Sequence, residues 1–292
     1  MTSDAFLRNR DNFCYRHPDR QSFVLCQRCG RTVCPECQTQ AAVGVICPEC
    51  MKEQRAAQTP VQRKAERRWA TRSVTAVDTR PLATYVIIAA TVLAYIVTFI
   101  PGFGDQVGQA LAFNATYVVF PHLTGVFEPW RILTVALTHG SFWHLGLNML
   151  ALWMIGRSLE PLLGRGRFIA LYLLSAAGGS VGVALLAPSQ WVVGASGAIF
   201  GLFGALIVIG RHIGANIAGI AIILAINLAI GFIPGMGVSW QAHVGGLVVG
   251  LIVGFVYVRT RSPRQRTAQI GLLVAIGVGL VALLIIPAFV YA

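Results

Sequence analysis

The stretch Gly194-Ala-Ser-Gly-Ala198 opens one long apolar segment, and a second long apolar segment opens around His243. A hydroxyl and an imidazole are costly to keep at membrane depth, and polar or ionisable side chains retained there generally have a function. Ser196 and His243 are therefore candidate functional residues. Their possible role depends on whether these segments cross a membrane, and in which direction.

The composition is typical of a polytopic membrane protein. Of the 292 residues, 55% are hydrophobic and only 12% are charged, a balance that soluble domains rarely show. Most of the charge lies before residue 80 and nearly all of the apolar content follows it. We therefore predict a polar head domain at 1–50, a basic linker at 51–80, a membrane core at 81–260 and a further membrane helix at 261–292.

Seven apolar stretches are long enough to span a bilayer. They lie at about 82–100, 142–159, 167–187, 192–210, 214–233, 238–258 and 268–290. The sequence therefore predicts an all-α membrane protein. The stretch 101–141 is too long for a turn and too apolar for a free loop, so we expect it to form a structure partly immersed in the outer leaflet.

The basic residues predict the orientation in the membrane. The net charge of +12 would also suit a nucleic-acid-binding protein, but fourteen of the 23 Lys and Arg residues lie in 1–80. The others, except Arg131, cluster between alternate spans, which is the positive-inside pattern. We expect a multi-pass cell-membrane protein with a cytoplasmic N-terminus, an external C-terminus and no nucleic-acid partner. We expect no signal peptide, because the first 80 residues are polar.

The second, fourth and sixth spans deliver polar side chains to one depth. These spans all run inward in the predicted topology, and at about 1.5 Å of rise per residue their polar groups lie roughly 3–10 Å below the outer boundary. The residues at this depth are His144, Asn148, Ser196 and His243. His144 and Asn148 are four residues apart and share one helix face. This convergence predicts a shallow polar site.

Glycines predict close contact between the fourth and sixth spans. Gly197 and Gly201 are four residues apart, as are Gly246 and Gly250, and this spacing lets helix backbones approach closely in lipid. Close approach is needed for a hydrogen bond of about 2.6–3.2 Å between a serine hydroxyl and a histidine nitrogen. Ordinary helix packing is the alternative explanation for the glycines alone.

The chemistry that fits this site is attack by serine on a peptide carbonyl. His243 would take the proton of Ser196 and return it to the leaving amine. The candidate oxyanion donors are His144, the Asn148 amide and the Ser196 backbone N–H. Gly194 would let the substrate approach the nucleophile closely. Phe200, one turn after Ser196, would pack its ring against His243 or face lipid.

The scarcity of carboxylates excludes other chemistry. After Asp78 the chain carries only Asp105, Glu128 and Glu160, and none of them lies in the middle of a predicted span. This argues against an aspartyl protease, a carboxylate-driven transporter and a Ser-His-Asp triad. A cluster of histidines that includes His139 remains an alternative for the polar layer.

These motifs, taken in order, resemble the rhomboid family of intramembrane serine proteases. The matching residues, within about 82–258, are Trp130-Arg131, His139, His144, Asn148, Glu160, Gly194-x-Ser196-Gly197 and Ala242-His243-x-x-Gly246. The resemblance implies a six-helix core with a seventh helix added at its C-terminal end. It also implies a Ser196 nucleophile, a His243 base, and an oxyanion hole of His144, Asn148 and the Ser196 backbone. The implied substrates are single-pass membrane proteins cut near the outer face. In the family, the ring at position 200 is often Tyr and supports the histidine.

Two other functions remain open. The first is an inactive rhomboid-like protein that binds transmembrane helices while its N-terminal module recruits partners. The second is a transporter, which would need polar groups through the whole membrane rather than at one side. Retention of both Ser196 and His243 favours the protease.

The N-terminal residues predict two structural zinc ions. All seven cysteines of the chain and one histidine form four pairs, which are Cys14-x-x-His17, Cys26-x-x-Cys29, Cys34-x-x-Cys37 and Cys47-x-x-Cys50. Eight ligands suit two tetrahedral ions. An odd cysteine count in a reducing cytoplasm argues against disulfides.

The order of these pairs resembles a B-box-like zinc finger. The resemblance implies an interleaved pairing, with one ion held by Cys14, His17, Cys34 and Cys37 and the other by Cys26, Cys29, Cys47 and Cys50; sharing between neighbouring pairs is the alternative. Four protein ligands leave no open position for catalysis. We therefore expect a module that binds a cytoplasmic partner or regulates the protease, joined by a linker that contacts anionic lipids.

Overall fold

The structure is a computed structural model that describes residues 9–40, 44–59, 80–233 and 237–290. The chain divides into two compact units, Met1–Val77 and Asp78–Ala292, and each is described by itself. Residues 60–79, which form most of the predicted basic linker, lie outside the described residues.

The described part of the first unit contains little regular structure. Two short 3-10 helices lie at Arg10–Asn12 and Pro35–Cys37, strand β1 (Thr39–Gln40) pairs antiparallel with β2 (Val45–Ile46), and helix α1 is Pro48–Ala56. Its buried core consists of six cysteines together with Val33 and Val45. A unit this small buries few large apolar side chains, so sulfur-bearing residues occupy its centre.

The described part of the second unit is mainly helical. Its helices are α2 Leu82–Val97, α3 Gly104–Leu111, α4 Thr116–Val119, α5 Pro121–Thr124, α6 Arg131–Thr134, α7 Phe142–Leu163, α8 Arg165–Leu186, α9 Ser196–His212, α10 Ala218–Ile230, α11 Trp240–Arg259, α12 Arg266–Leu283 and α13 Ile286–Val290. Short 3-10 helices at Val135–Leu137 and Pro263–Gln265 precede α7 and α12. A helix occupies each of the seven predicted spans.

Three helices of the described residues are long and apolar enough to cross a membrane. They are Arg165–Leu186, Trp240–Arg259 and the run Pro263–Val290, and the apolar helices α2, α9 and α10 are shorter. Long apolar helices of this number indicate a multi-pass membrane protein. The total of seven crossings stays a prediction.

Two of the helix boundaries that differ from the predicted spans have a backbone cause. The fourth span was expected from residue 192, but α9 begins at Ser196 because Gly194 has a φ of +121°, which no helix accommodates. The seventh was expected to run from 268 to 290, but α12 ends at Leu283. Pro287 has no N–H to donate to the preceding turn, so the chain restarts as the short α13.

The centre of the second unit is formed by α8, α9 and α11, whose backbones touch. A Cβ built on Gly246 would collide with the carbonyl oxygen of Gly197, and one on Gly250 would collide with that of Gly201. A Cβ on Gly179 of α8 would lie 3.4 Å from the Cα of Gly197. The predicted close approach of the fourth and sixth spans through glycine is therefore confirmed.

The stretch 101–141 folds into the short helices α3 to α6 around a buried arginine. Arg131 donates from Nε to the carboxylate of Glu128 at 2.5 Å and from Nη1 to the carbonyl of Ala112 at 2.6 Å. Its guanidinium also lies 4.6 Å from the centre of the Tyr117 ring. A paired and hydrogen-bonded charge can be buried, so this stretch is an ordered part of the unit, as its apolar composition predicted.

Candidate active site

Ser196 is the first residue of α9, and the loop before it is held by the 101–141 stretch. Phe113 and Val192 exchange two backbone hydrogen bonds of 2.9 Å, and the N–H of Gly194 donates to the carbonyl of Val135 at 3.1 Å. These bonds fix the chain on both sides of Val193, immediately before the serine. The position of Ser196 is therefore set by the junction of α9 with a distant part of the sequence.

His243 is the fourth residue of α11, and its ring lies against α9. Its imidazole stacks on the ring of Phe200, with ring centroids 3.9 Å apart and an angle of 12° between the planes. Of the two expectations for Phe200, packing against His243 or facing lipid, the structure shows the packing. Because Phe200 lies one turn after Ser196, the stacking holds the imidazole beside the first turn of α9.

The backbones next to Ser196 and His243 are in contact. A Cβ on Gly197 would lie 3.2 Å from the carbonyl oxygen of Ala242, so the residues after the serine and before the histidine touch. Within the described residues, no hydrogen bond joins the Ser196 hydroxyl to His243, and Nδ1 of His243 is buried with no hydrogen-bond partner. The structure thus brings the two residues to the same end of the α9–α11 pair.

His144 lies over Gly194. A Cβ built on Gly194 would lie 2.8 Å from Nε2 of His144 and 3.8 Å from the Ser196 hydroxyl oxygen. Position 194 therefore needs glycine for two reasons, its positive φ and the space that the His144 ring takes.

Asn148 lies one turn below His144 in α7. Its side chain is 8% exposed, and its Nδ2 donates to the carbonyl oxygen of His144 at 2.8 Å. One amide N–H is thus committed to its own helix, while the second N–H and the amide oxygen have no described partner. Among the described residues, no hydrogen bond joins Asn148 to Ser196.

His139 packs against His144 and Ala195, a supporting position that the sequence did not predict. It is buried, its ring centroid lies 5.0 Å from that of His144, and its Nε2 is 3.5 Å from the backbone N of Ala195. It therefore contacts both the His144 ring and the residue before Ser196. The short interval between the two histidines in the sequence was the available signal.

Glu160 supports the bundle away from the site. This carboxylate is 2% exposed and accepts hydrogen bonds from the backbone N–H groups of Ala83 and Thr84, at 2.9 and 2.8 Å, and from the Thr84 hydroxyl at 2.7 Å. These N–H groups belong to the first turn of α2, where a negative charge is favourable. Glu160 thus caps α2 from the end of α7.

The N-terminal unit contains two clusters of metal-ligating side chains. One consists of Cys14, His17, Cys34 and Cys37, and the other of Cys26, Cys29, Cys47 and Cys50. In each cluster the ligand atoms all lie within 4.8 Å of one another. This grouping matches the interleaved pairing rather than sharing between neighbouring pairs, and either cluster can bind a metal ion.

The cysteine environments differ within each cluster: burial and neighbouring thiols raise the pKa of the Cys37 and Cys50 thiols, whereas other thiols are stabilised as thiolates. Burial opposes ionisation of Cys26, but backbone hydrogen bonds outweigh it and lower the pKa of its thiol to about 6. One of them is the N–H of Cys47, which lies 3.2 Å from the sulfur of Cys26. The thiolate is the form of cysteine that binds a metal.

Comparison with known proteins identifies the second unit. The rhomboid domain matches residues 126–260. The rhomboid protease GluP of Bacillus subtilis is 35% identical over 59% of this chain and 34% of its own length. The RHOMBOID-like protein 4 of Arabidopsis thaliana is 43% identical over 44% of this chain and 34% of its own length. The putative rhomboid protease YdcA of Bacillus subtilis is 36% identical over 47% of this chain and 71% of its own length.

The fold and the site define a multi-pass α-helical membrane protein with a polar site at the junction of α7, α9 and α11. The chain belongs to the rhomboid family. It spans about a third of the length of GluP and of RHOMBOID-like protein 4. The matched residues include every proposed catalytic side chain and leave out both metal clusters and α12.

Proposed function

We propose that this protein is an intramembrane serine endopeptidase with Ser196 as nucleophile and His243 as general base. The observation that carries the proposal is the stacking of His243 on Phe200, one helical turn from Ser196. Rhomboid relatives that are named as proteases support the same reaction. The proposed substrates are transmembrane proteins, cut near the outer face of the membrane.

The proposed reaction uses the dyad in two steps. The Ser196 oxygen attacks the carbonyl carbon of the scissile peptide while His243 accepts its proton, and His243 then protonates the leaving amine. A water molecule then attacks the acyl carbon while His243 accepts its proton, and His243 returns that proton to the Ser196 oxygen as the acyl group leaves. Within the described residues no carboxylate hydrogen-bonds to His243 to orient its imidazole. In this proposal, stacking on Phe200 orients the ring instead.

The oxyanion would be stabilised at the N-terminus of α9. No side chain caps this helix, so the backbone N–H groups of its first turn, including that of Ser196, are available to a developing negative charge. His144 lies over Gly194 beside the serine and is the second proposed donor. The free N–H of Asn148 is the third.

The N-terminal unit is proposed to hold two structural zinc ions. Thiolate and imidazole ligands in sets of four suit Zn²⁺, and such closed sites stabilise folds rather than catalyse reactions. We propose a cytoplasmic location for this unit, where it would bind a protein partner, while the basic linker would contact anionic lipids. The proposed orientation has the N-terminus inside and the C-terminus outside.

Reconstitution tests the proposed activity. The full chain is placed in liposomes with a single-pass substrate whose transmembrane helix contains helix-breaking residues. We expect Ser196→Ala and His243→Ala to lower the cleavage rate by at least about a thousandfold. The matched controls Ser158→Ala and His122→Ala replace exposed residues outside the site and should cleave like the wild type.

Two results would contradict the proposal. Cleavage that survives Ser196→Ala would exclude this serine as the nucleophile. If the wild type cleaves no substrate and a fluorophosphonate probe does not label Ser196, the result would contradict the protease and favour the alternative, a rhomboid-like protein that binds transmembrane helices.

A further inference from the structure

The helix α12 lies outside the residues that match the rhomboid domain, and it buries few side chains. Gln269 and Leu280 are the buried residues of α12. In the run Pro263–Val290, only 17% of an 18-residue apolar stretch is buried, compared with 61% of such a stretch in α8 and 50% in α11. The attachment of α12 to the bundle therefore depends on a small number of contacts.

Gln269 makes the polar part of that attachment with both ends of its amide. It is 4% exposed. Its Nε2 donates to the carbonyl oxygen of Thr260 at 3.1 Å and to the Thr260 hydroxyl at 2.7 Å. Its Oε1 accepts from Nε of Arg167 at 2.7 Å. One side chain thus joins α12 to the end of α11 and to the start of α8.

The same end of α11 has two further contacts. The Tyr257 hydroxyl donates to the carbonyl oxygen of Arg167 at 2.8 Å, and Nη1 of Arg261 lies 3.2 Å from Nε2 of His212, the last residue of α9. The C-terminal end of α11 is therefore fixed by α8, α9 and α12. His243 lies near the opposite end of this helix.

We propose that Gln269 is a positioning residue for the Ser196–His243 dyad. This proposal rests on the proposed function. Gln269 holds the C-terminal end of α11 and thereby sets the position of His243, about 25 Å away along the helix at 1.5 Å per residue. Main-chain atoms of α11 touch those of α8 and α9, so α11 packs as a rigid helix and a displacement of its C-terminal end is carried to the end that bears His243. A shift of 1 Å in a reacting group lowers rates by up to about a hundredfold.

The two arms of the Gln269 amide can be separated by substitution. Gln269→Leu removes both arms. Gln269→Glu keeps an acceptor for Arg167 but has no N–H to donate to Thr260, so it releases α11 while retaining α8. Thr260→Val removes only the hydroxyl acceptor. The matched control is Gln265→Leu, because Gln265 is exposed and lies four residues before Gln269.

The test measures dyad reactivity in the full chain. The rate of Ser196 labelling by a fluorophosphonate is recorded in detergent micelles, well below the unfolding temperature of each variant. We expect Gln269→Leu and Gln269→Glu to be labelled roughly tenfold more slowly than the wild type, Thr260→Val to fall between, and Gln265→Leu to match the wild type. Hydrogen exchange of residues 255–262 should rise in the slow variants.

Three results would overturn this inference. The first is wild-type labelling of Gln269→Leu despite faster exchange at the end of α11, which would leave Gln269 a structural attachment only. The second is wild-type labelling of Gln269→Glu with slow labelling of Gln269→Leu, because the α8 arm would then be the important one. The third is a wild type that the probe does not label, which contradicts the proposed function as well and is recognised in the wild type itself.

Discussion

The imidazole of His243 lies almost parallel to the ring of Phe200, with 12° between the planes and 3.9 Å between the centroids. In the proposed dyad no carboxylate of the described residues bonds to His243, so this aromatic face is the contact that would restrict rotation of the imidazole. We therefore expect the stacking to contribute to turnover more than to substrate binding, which gives the first prediction.

Replacing Phe200 with Ala should lower kcat by roughly ten- to a hundredfold with little change in KM, because the imidazole loses its fixed orientation. Phe200→Tyr keeps the stacked ring and should retain most activity. The control is Phe203→Ala, which removes a partly buried ring that has no described stacking contact with His243. Equal losses in Phe200→Ala and Phe203→Ala would show that the effect is general packing. Steady-state cleavage in liposomes measures both constants.

Gly246→Ala should destabilise the bundle by about 1–3 kcal/mol. The new methyl group would collide with the Gly197 carbonyl oxygen and lie 3.1 Å from the Gly197 Cα, and a backbone cannot move aside as a side chain can. Gly271→Ala is the control, because a Cβ there meets nothing within 4 Å. Thermal unfolding in detergent measures the difference, and equal unfolding temperatures for the two variants would contradict the close contact.

Removal of the Glu160 carboxylate should lower the unfolding free energy by roughly 2–3 kcal/mol, because Glu160→Ala leaves two N–H groups at the start of α2 without their acceptor. Glu160→Gln should be intermediate, since its oxygen still accepts one bond. Asp105→Asn is the control for loss of an exposed carboxylate. If Glu160→Ala unfolds at the wild-type temperature, the capping of α2 by Glu160 contributes nothing to stability.

The full chain should bind two zinc ions, and paired substitutions should report which residues share an ion. With the interleaved grouping, the double variant His17→Ala/Cys34→Ala damages one cluster and should retain one ion. The double variant Cys14→Ala/Cys26→Ala damages both clusters and should retain none. Metal content per chain, measured by plasma mass spectrometry after gel filtration, gives the answer.

The opposite pattern in these two double variants would indicate that neighbouring pairs share each ion. His122→Ala, outside the N-terminal unit, is the control for a lost histidine and should retain both ions. A wild type that binds no metal would contradict the proposed zinc module.

The sequence predicted the helix positions and much of the site, because both depend on local patterns. Apolar runs located the helices, and the four-residue interval from Ser196 to Phe200 left two expectations for the Phe200 ring, packing on His243 or facing lipid. The start of α9 was missed because it depends on Gly194 and on a backbone pairing between Phe113 and Val192, far apart in the chain. No periodicity in the sequence reports such a pairing.

The polar contacts that hold the bundle together were also beyond sequence reasoning. Glu160 bonds to residues 76 and 77 positions earlier, and Gln269 bonds to Arg167 across 102 positions. The local sequence around each of these residues gives no sign of its distant partner, because the two residues meet only in the folded bundle.

The glycine contacts among α8, α9 and α11 have a consequence for engineering. Because main-chain atoms form the closest contacts of this junction, exchanging its side chains cannot fit it to a foreign helix. In a chimaera that takes only α9 from a relative, the main-chain surface of that helix would not fit the α8 and α11 of this chain. We expect functional hybrids within this family to require transfer of the three helices as one block.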